Sequence, residues 1–292
     1  MGWLLIIRRI KDMGSLSDYG ENAFLGHFCA TAYSPVATIY IALATASPGE
    51  AATGAAMNEV ANANNYARKA IIFGAAALRK VEQSGIVTFN QASGPWGVVT
   101  DWALVDSGTY GAGNVLAYGA FTSSFSPVSG NTPSIASGEV EVQISASSGE
   151  GFTDQFVHWM LNLIFRNIAY SQPATYIALL DQLGADTDTT LTTAGKEVAG
   201  TAYARVLLNK AGGVSPSWET VANGACQNEE EVAFPTVGAG GWSEIVGMAI
   251  VDGGTLDTGN VLAFDNDQVV DQTPQAGDTV KFAIGALDTS LS

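Results

Sequence analysis

Four blocks of this chain occur twice, in the same order. AYSPVATIYIAL (32–43) returns as AYSQPATYIAL (169–179) with one residue deleted, and NEVANANNYAR (58–68) returns as KEVAGTAYAR (196–205). The stretch 96–119 returns without a gap as 242–265, so DSGTYGAGNVLAYG and DGGTLDTGNVLAFD carry the same polar turn and the same apolar run. A fourth block, SGEVEVQISAS (137–147), reads as the counterpart of AGDTVKFAIGAL (276–287). Self-similarity held in register marks a duplicated structural unit, and it restricts the fold to two copies of one architecture. The division that follows is an N-terminal arm (1–14), a first repeat (15–149) and a second repeat (150–292).

Each repeat opens with a helix signal. In the first, Ser17 or Asp18 is the N-cap, Glu21 sits in the first turn near the free N–H groups, and Phe24, Leu25, Phe28 and Cys29 form one apolar stripe. In the second, Thr153 or Asp154 is the cap and the stripe is fatter: Phe156, Trp159, Met160, Leu163 and Ile164. The fatter stripe predicts that the second helix is the more deeply buried. Short β-branched and aromatic runs follow. TIYIAL, ARKAIIF, GIVTF, VVTDWALV and NVLAYGAF belong to repeat one; TYIAL, ARVLLN, EVAF, EIVGMAIV and NVLAF belong to repeat two. Asp-Ser-Gly and Asp-Gly-Gly supply turns between paired strands. The expected fold is mainly β: two tandem antiparallel β-sandwich domains, each opened by one α-helix, plus the arm.

Composition bounds the function. The chain is 47% apolar and 14% charged, against about 25% charged in an ordinary soluble protein. Its formal charge is −16, with 7 Lys+Arg and 11 Asp+Glu in residues 1–150 against 5 and 17 in 151–292. So acidic a surface repels nucleic acid and anionic lipid. The apolar run at residues 3–7 is too short for a signal h-region or a membrane span, and its charges follow it. Met13 is an alternative start that leaves the arm out. The only cysteines, Cys29 and Cys226, stand at non-matching places in the two repeats, which predicts two reduced, packed thiols rather than a bridge.

Reactive constellations are scarce. His27 and His158 lie on the opening helices at non-equivalent positions and read as helix-face residues near a core edge. No GxSxG elbow occurs. Asp186 with Asp188, Asp252 with Asp257, and Asp265 with Asp267 are oxygen-rich loop pairs of the kind calcium uses, but none follows the EF-hand pattern, and they read as solvated acids. GTYGAG (108–113) lacks the Lys and helix of a phosphate loop, and its copy GTLDTG carries an Asp. Trp96 and Trp242 are equivalent and are expected to fill the same core position twice. Tyr66 with Arg68, and Tyr203 with Arg205, are equivalent too, and each Arg is expected to pair with Glu59 or Glu197. What is kept twice is what a fold needs, so no enzyme activity, cofactor or metal is assigned.

The ordered pattern, a short helix, YIAL, EV…YAR, a Trp, ALVD or AIVD, GNVLAYG or GNVLAFD and a closing GD-type strand at Gly277 and Asp278, resembles a repeat found in structural proteins of tailed bacteriophages, described as decoration or tail-fibre-like proteins. Repeat one departs at its last strand, where GEVEVQISAS stands in place of the GD…GAL ending. The resemblance implies a virion location, with other virion proteins (the major capsid protein or tail proteins) and further copies of the chain as partners. A capsid decoration, or cement, protein is the first expectation; a tail-fibre, collar or tail-tip component is the alternative. No coiled-coil or collagen-like stretch supports a long fibre. A glycan-binding or glycan-cleaving module would need exposed aromatics beside paired carboxylates. On the cement reading the arm is the partner-binding element: Trp3, Leu4, Leu5, Ile6 and Ile7 enter a groove, while Arg8, Arg9 and Lys11 meet acidic partner residues.

Overall fold

The computed structural model describes residues 15–146, 150–191, 195–256, 258–266 and 272–291, together with the backbone of residues 4–7. In chain order the first half contains β1 (Leu4–Ile7), β2 (Ser15–Leu16), α1 (Asp18–Cys29), β3 (Ile39–Ala44), β4 (Lys69–Ile71), β5 (Lys80–Glu82), β6 (Val87–Thr88), β7 (Val99–Val105), β8 (Val115–Phe125), β9 (Thr132–Ile135) and β10 (Glu141–Gln143). The second contains β11 (Glu150–Phe152), α2 (Asp154–Arg166), β12 (Tyr176–Leu180), β13 (Val206–Leu207), β14 (Ala225–Gln227), β15 (Val232–Ala233), β16 (Gly247–Val251), β17 (Val261–Asp265), β18 (Lys281–Phe282) and β19 (Asp288–Ser290).

The two halves repeat one topology. A five-stranded sheet of order β2-β8-β7-β3-β4 is matched by β11-β17-β16-β12-β13. The pair β5–β10 is matched by β14–β19, and β6–β9 by β15–β18. All ten runs expected to be strands contribute one. The alternation that places Ile41 and Leu43 in the large core puts Ala42 and Ala44 on the other face, where Ala42 joins Ala103, Val105 and Met57 in a small cluster. Ala178, Leu180, Ala249 and Val251 form the equivalent cluster in half two.

The fourth sequence block is out of register. Pro127 O accepts from Trp96 N as Pro274 O accepts from Trp242 N, which makes Gly130-Asn131-Thr132 the counterpart of Gly277-Asp278-Thr279. Asn131 and Asp278 each accept, through a side-chain oxygen, from the backbone N–H three residues earlier. The segment around Glu141 pairs with β5 as Asp288–Ser290 pairs with β14. Repeat one therefore keeps both final strands, and the departure expected there does not exist. Weak strands with few fixed side chains carry too little signal to set their own alignment.

The helices join the halves. Ser17 caps α1 by accepting from Gly20 N, and Thr153 caps α2 by accepting from Phe156 N. Each cap residue also ties its helix to its own sheet, Ser17 N to Leu116 O and Thr153 N to Leu262 O. From there each helix packs against β8 or β17 of its own half and against β14 or β5 of the other. Phe24 and Phe28 meet Phe152 and Phe156 with ring centroids 5.2–5.5 Å apart, and one large apolar cluster runs through both halves.

Two expectations are corrected here. Helix α1, not α2, is the more enclosed: Phe24, Leu25, Phe28 and Cys29 are fully buried, while Trp159 of α2 is only half-buried. The stripe width did not decide this. Neighbours did, because the loop around Lys210 covers the end of α1, and among the described residues no loop of that length covers the end of α2. Second, Cys29 and Cys226 are joined as a disulfide. Non-matching positions argued against a bridge only while each half was taken alone; the packing of α1 on β14 brings them together.

Candidate functional site

The twice-kept polar residues form two equivalent networks. In half one, Arg68 Nε and Nη2 donate to the two carboxylate oxygens of Glu59 at 2.8 and 2.7 Å. Its Nη1 donates to Ser107 O and Ala112 O, both at 2.8 Å, and Nη2 donates again to Gly54 O at 2.9 Å. All five N–H donors of the guanidinium are engaged. The Tyr66 hydroxyl accepts from Leu43 N at 2.9 Å and donates to Glu59 at 3.0 Å. Burial, reinforced by the Glu59 charge, pushes the phenol far above its usual range, which keeps it a donor.

Half two repeats the arrangement. Arg205 donates to Glu197 at 2.8 and 2.6 Å and to Gly253 O and Thr258 O at 2.5 and 2.7 Å, while Tyr203 bridges Leu179 N and Glu197. Both guanidinium groups are wholly enclosed, with side-chain exposures of 0%. The expected pairs with Glu59 and Glu197 are present.

The loop each Arg clamps is the repeated polar turn. Asp106 accepts from Asn114 N and Nδ2 at 2.6 and 2.8 Å; Asp252 accepts from Asn260 N and Nδ2 at 2.5 and 2.7 Å. GTYGAG is thus the connection between β7 and β8, drawn tight by an Asp–Asn clasp; position 113 needs glycine because its φ is +87° and because a Cβ there would strike the Asp106 carboxylate. Trp96 and Trp242 are buried, stand edge-on to Tyr66 and Tyr203 at 5.2 Å, and donate Nε1–H to Asn64 O and Thr201 O. The core position expected for them is the one they fill.

The remaining candidates are engaged in structure. His158 Nε2 accepts from Arg79 N across the seam between halves, and His27 Nδ1 accepts from Tyr33 N. Burial pushes both imidazoles below their usual range, with Lys210 adding to the effect on His27. Asp188 pairs with Lys196 at 2.7 Å, Asp186 lies 3.9 Å from Arg79, and Asp252 is spent in its clasp. Asp257 and Asp267 lie outside the described residues, among which no group of three His, Cys, Asp or Glu could hold a metal ion. No helix among them is long and apolar enough to cross a membrane.

For the arm, the backbone of Leu4, Leu5, Ile6 and Ile7 forms β1, running parallel to Thr132–Ile135 at the edge of the small sheet. Trp3, Arg8, Arg9 and Lys11 lie outside the described residues. Sequence reasoning missed the groove of about 590 Å³ between the end of β4, residues 84–87 and the end of α2. Its signal was present in Ile72 and Ile86, apolar residues that a strand pattern assigns to a core and that stand 70% exposed.

In this duplicated β fold the twice-kept Glu, Tyr, Arg, Asp and Asn side chains bind the chain's own backbone and one another. The chain belongs to the family described as podophage GP4 fiber I protein gp80, whose pattern matches residues 15–143 and again 151–290. It is a virion structural protein of a bacteriophage family. No curated protein matches it.

Proposed function

We propose that the chain is a non-enzymatic fibre component of the virion. The observation that carries this reading is the fate of the repeated polar residues: Glu59, Tyr66, Arg68 and Asp106, like their copies, are consumed in closing loops. A family match over both halves supports a fibre more than the capsid cement that the sequence pattern first suggested. Partners are other virion proteins and further copies of the chain. Quantifying the chain in purified particles tests the assignment. A few copies per tail are expected; abundance near that of the major capsid protein would return the cement reading.

The arm belongs to the same proposal. Trp3, Leu4, Leu5, Ile6 and Ile7 supply apolar contact to a neighbouring virion protein, and Arg8, Arg9 and Lys11 meet its carboxylates. A chain lacking residues 1–12 is expected to fold, with unchanged circular dichroism, and to be missing from particles. Normal incorporation would remove the arm from the account.

A further inference from the structure

The two halves differ most where half one is open. Tyr40 pairs with Ala70 and Tyr176 with Leu207, so Ala70 and Leu207 are equivalent. Ser84 N donates to Ile72 O as Glu229 N donates to Ser217 O, so Ile72 and Ser217 are equivalent. The first two positions are two residues apart (70 to 72) and the second two are ten apart (207 to 217), which gives half two eight extra residues. That extra loop lies against the end of α1, at the place where half one has its groove. Lys210 Nζ donates to Phe28 O and Ala211 N to Cys29 O at 3.0 Å, at the end of α1. The equivalent end of α2, Phe165–Asn167, lines the groove.

Beyond those anchors the loop projects. Residues 212–215 are all exposed, and Val214 is 80% exposed at the tip. The open groove offers the complement, with Ile72 and Ile86 at its rim. Arg166 is the one charged residue of its lining. Arg166 donates to Phe73 O and Asn162 Oδ1 and, unlike Arg68, Arg79 and Arg205, has no carboxylate partner among the described residues. The loop's base is acidic: Glu230 Oε2 accepts from Ser217 N at 2.8 Å, and Glu229 beside it is exposed.

We propose that the groove of half one receives the 212–215 tip of a second copy, with Val214 between Ile72 and Ile86 and the acidic loop base facing Arg166. The contact joins unlike surfaces, so each added copy leaves a free loop at one end and a free groove at the other, and assembly continues in one direction until it closes into a ring or runs on as a filament. A four-residue tip covers far less than the roughly 1,200–2,000 Å² of a stable interface, so the association is weak and depends on high local concentration. The inference deepens the fibre reading, yet its test is made in solution and is independent of particle incorporation.

Sedimentation velocity on the full chain, up to high micromolar concentration, reads the outcome. The unaltered chain is expected to form species larger than a dimer as concentration rises. Val214→Asp, and separately Ile72→Asp with Ile86→Asp, are expected to stay monomeric with unchanged circular dichroism, since all three side chains are exposed. An equimolar mixture of the two variants is expected to form a dimer and stop, because only one live loop and one live groove remain. A chain monomeric at every concentration, self-association that survives either variant, or a mixture that does not pair would overturn the proposal.

Discussion

Single residues explain why the repeated stretch is repeated. Each Tyr-x-Arg motif and its Glu lock a loop from inside, and a buried guanidinium with one partner removed leaves the other charge stranded. Arg68→Ala and Arg205→Ala are each expected to cost about 3–5 kcal/mol in chemical unfolding; a loss below about 1 kcal/mol, the scale of surface pairs, would show the network to be ornamental.

Two other ionisable groups, buried Glu21 and half-buried Lys210, give opposite pH signatures. Burial, then Glu50 and Asp18, raises Glu21 from 4.5 to about 7, and burial lowers Lys210 from 10.5 to about 7. Between 4.5 and about 7 the folded chain keeps a proton on Glu21 that the unfolded chain has lost, so this group's contribution falls as pH rises. Between about 7 and 10.5 the unfolded chain keeps a proton on Lys210 that the folded chain has lost, so that contribution rises with pH. The histidines, lowered by burial, slope against Glu21 on the acid side, so each group is read as a difference from the unaltered chain. Glu21→Gln should gain in relative melting temperature from pH 5 to 8, and Lys210→Met should gain from pH 9 to 6. Parallel curves would assign both groups ordinary ionisation.

At the scale of elements, the sequence was most legible where period and cap agreed. Of the two cap candidates at each helix start, Ser17 and Thr153 are the caps, and the β7–turn–β8 unit is repeated by β16–turn–β17. Illegible were contacts made between halves, which no local period encodes. These are the disulfide, the greater enclosure of α1, and the turn at Arg79, whose N–H is held by His158 while the equivalent Gly224 N–H is held by Asn22. The register of β9 and β10 was lost because Thr132–Ile135 and Lys281–Phe282 share little beyond a turn. Tight packing of helix on sheet gives a direct test. Gly20 of α1 lies so close to Leu116 O that a Cβ would collide with it. Gly20→Ala is therefore expected to lower the melting temperature even though Ala favours a helix interior by up to about 1 kcal/mol. A rise would mean that α1 can shift away from β8.

For the whole molecule, the cluster around Phe24, Phe28, Phe152 and Phe156 packs side chains of both halves against one another, so the halves are expected to unfold together. Calorimetry is expected to show a single transition whose van't Hoff and calorimetric enthalpies agree. Two separable transitions, or a soluble and cooperatively folded fragment 15–149, would make the halves independent.

The reciprocal seam, α1 on β14 and α2 on β5, also bears on how such a chain can vary. Were the same seam formed by two identical molecules, every substitution would land on both sides at once. Joined in one polypeptide, each side mutates alone. Arg79 can face an imidazole while its twin is a glycine facing an amide, and one side can lengthen a loop while the other leaves its cleft bare. Linkage has turned a symmetric object into one with distinguishable ends.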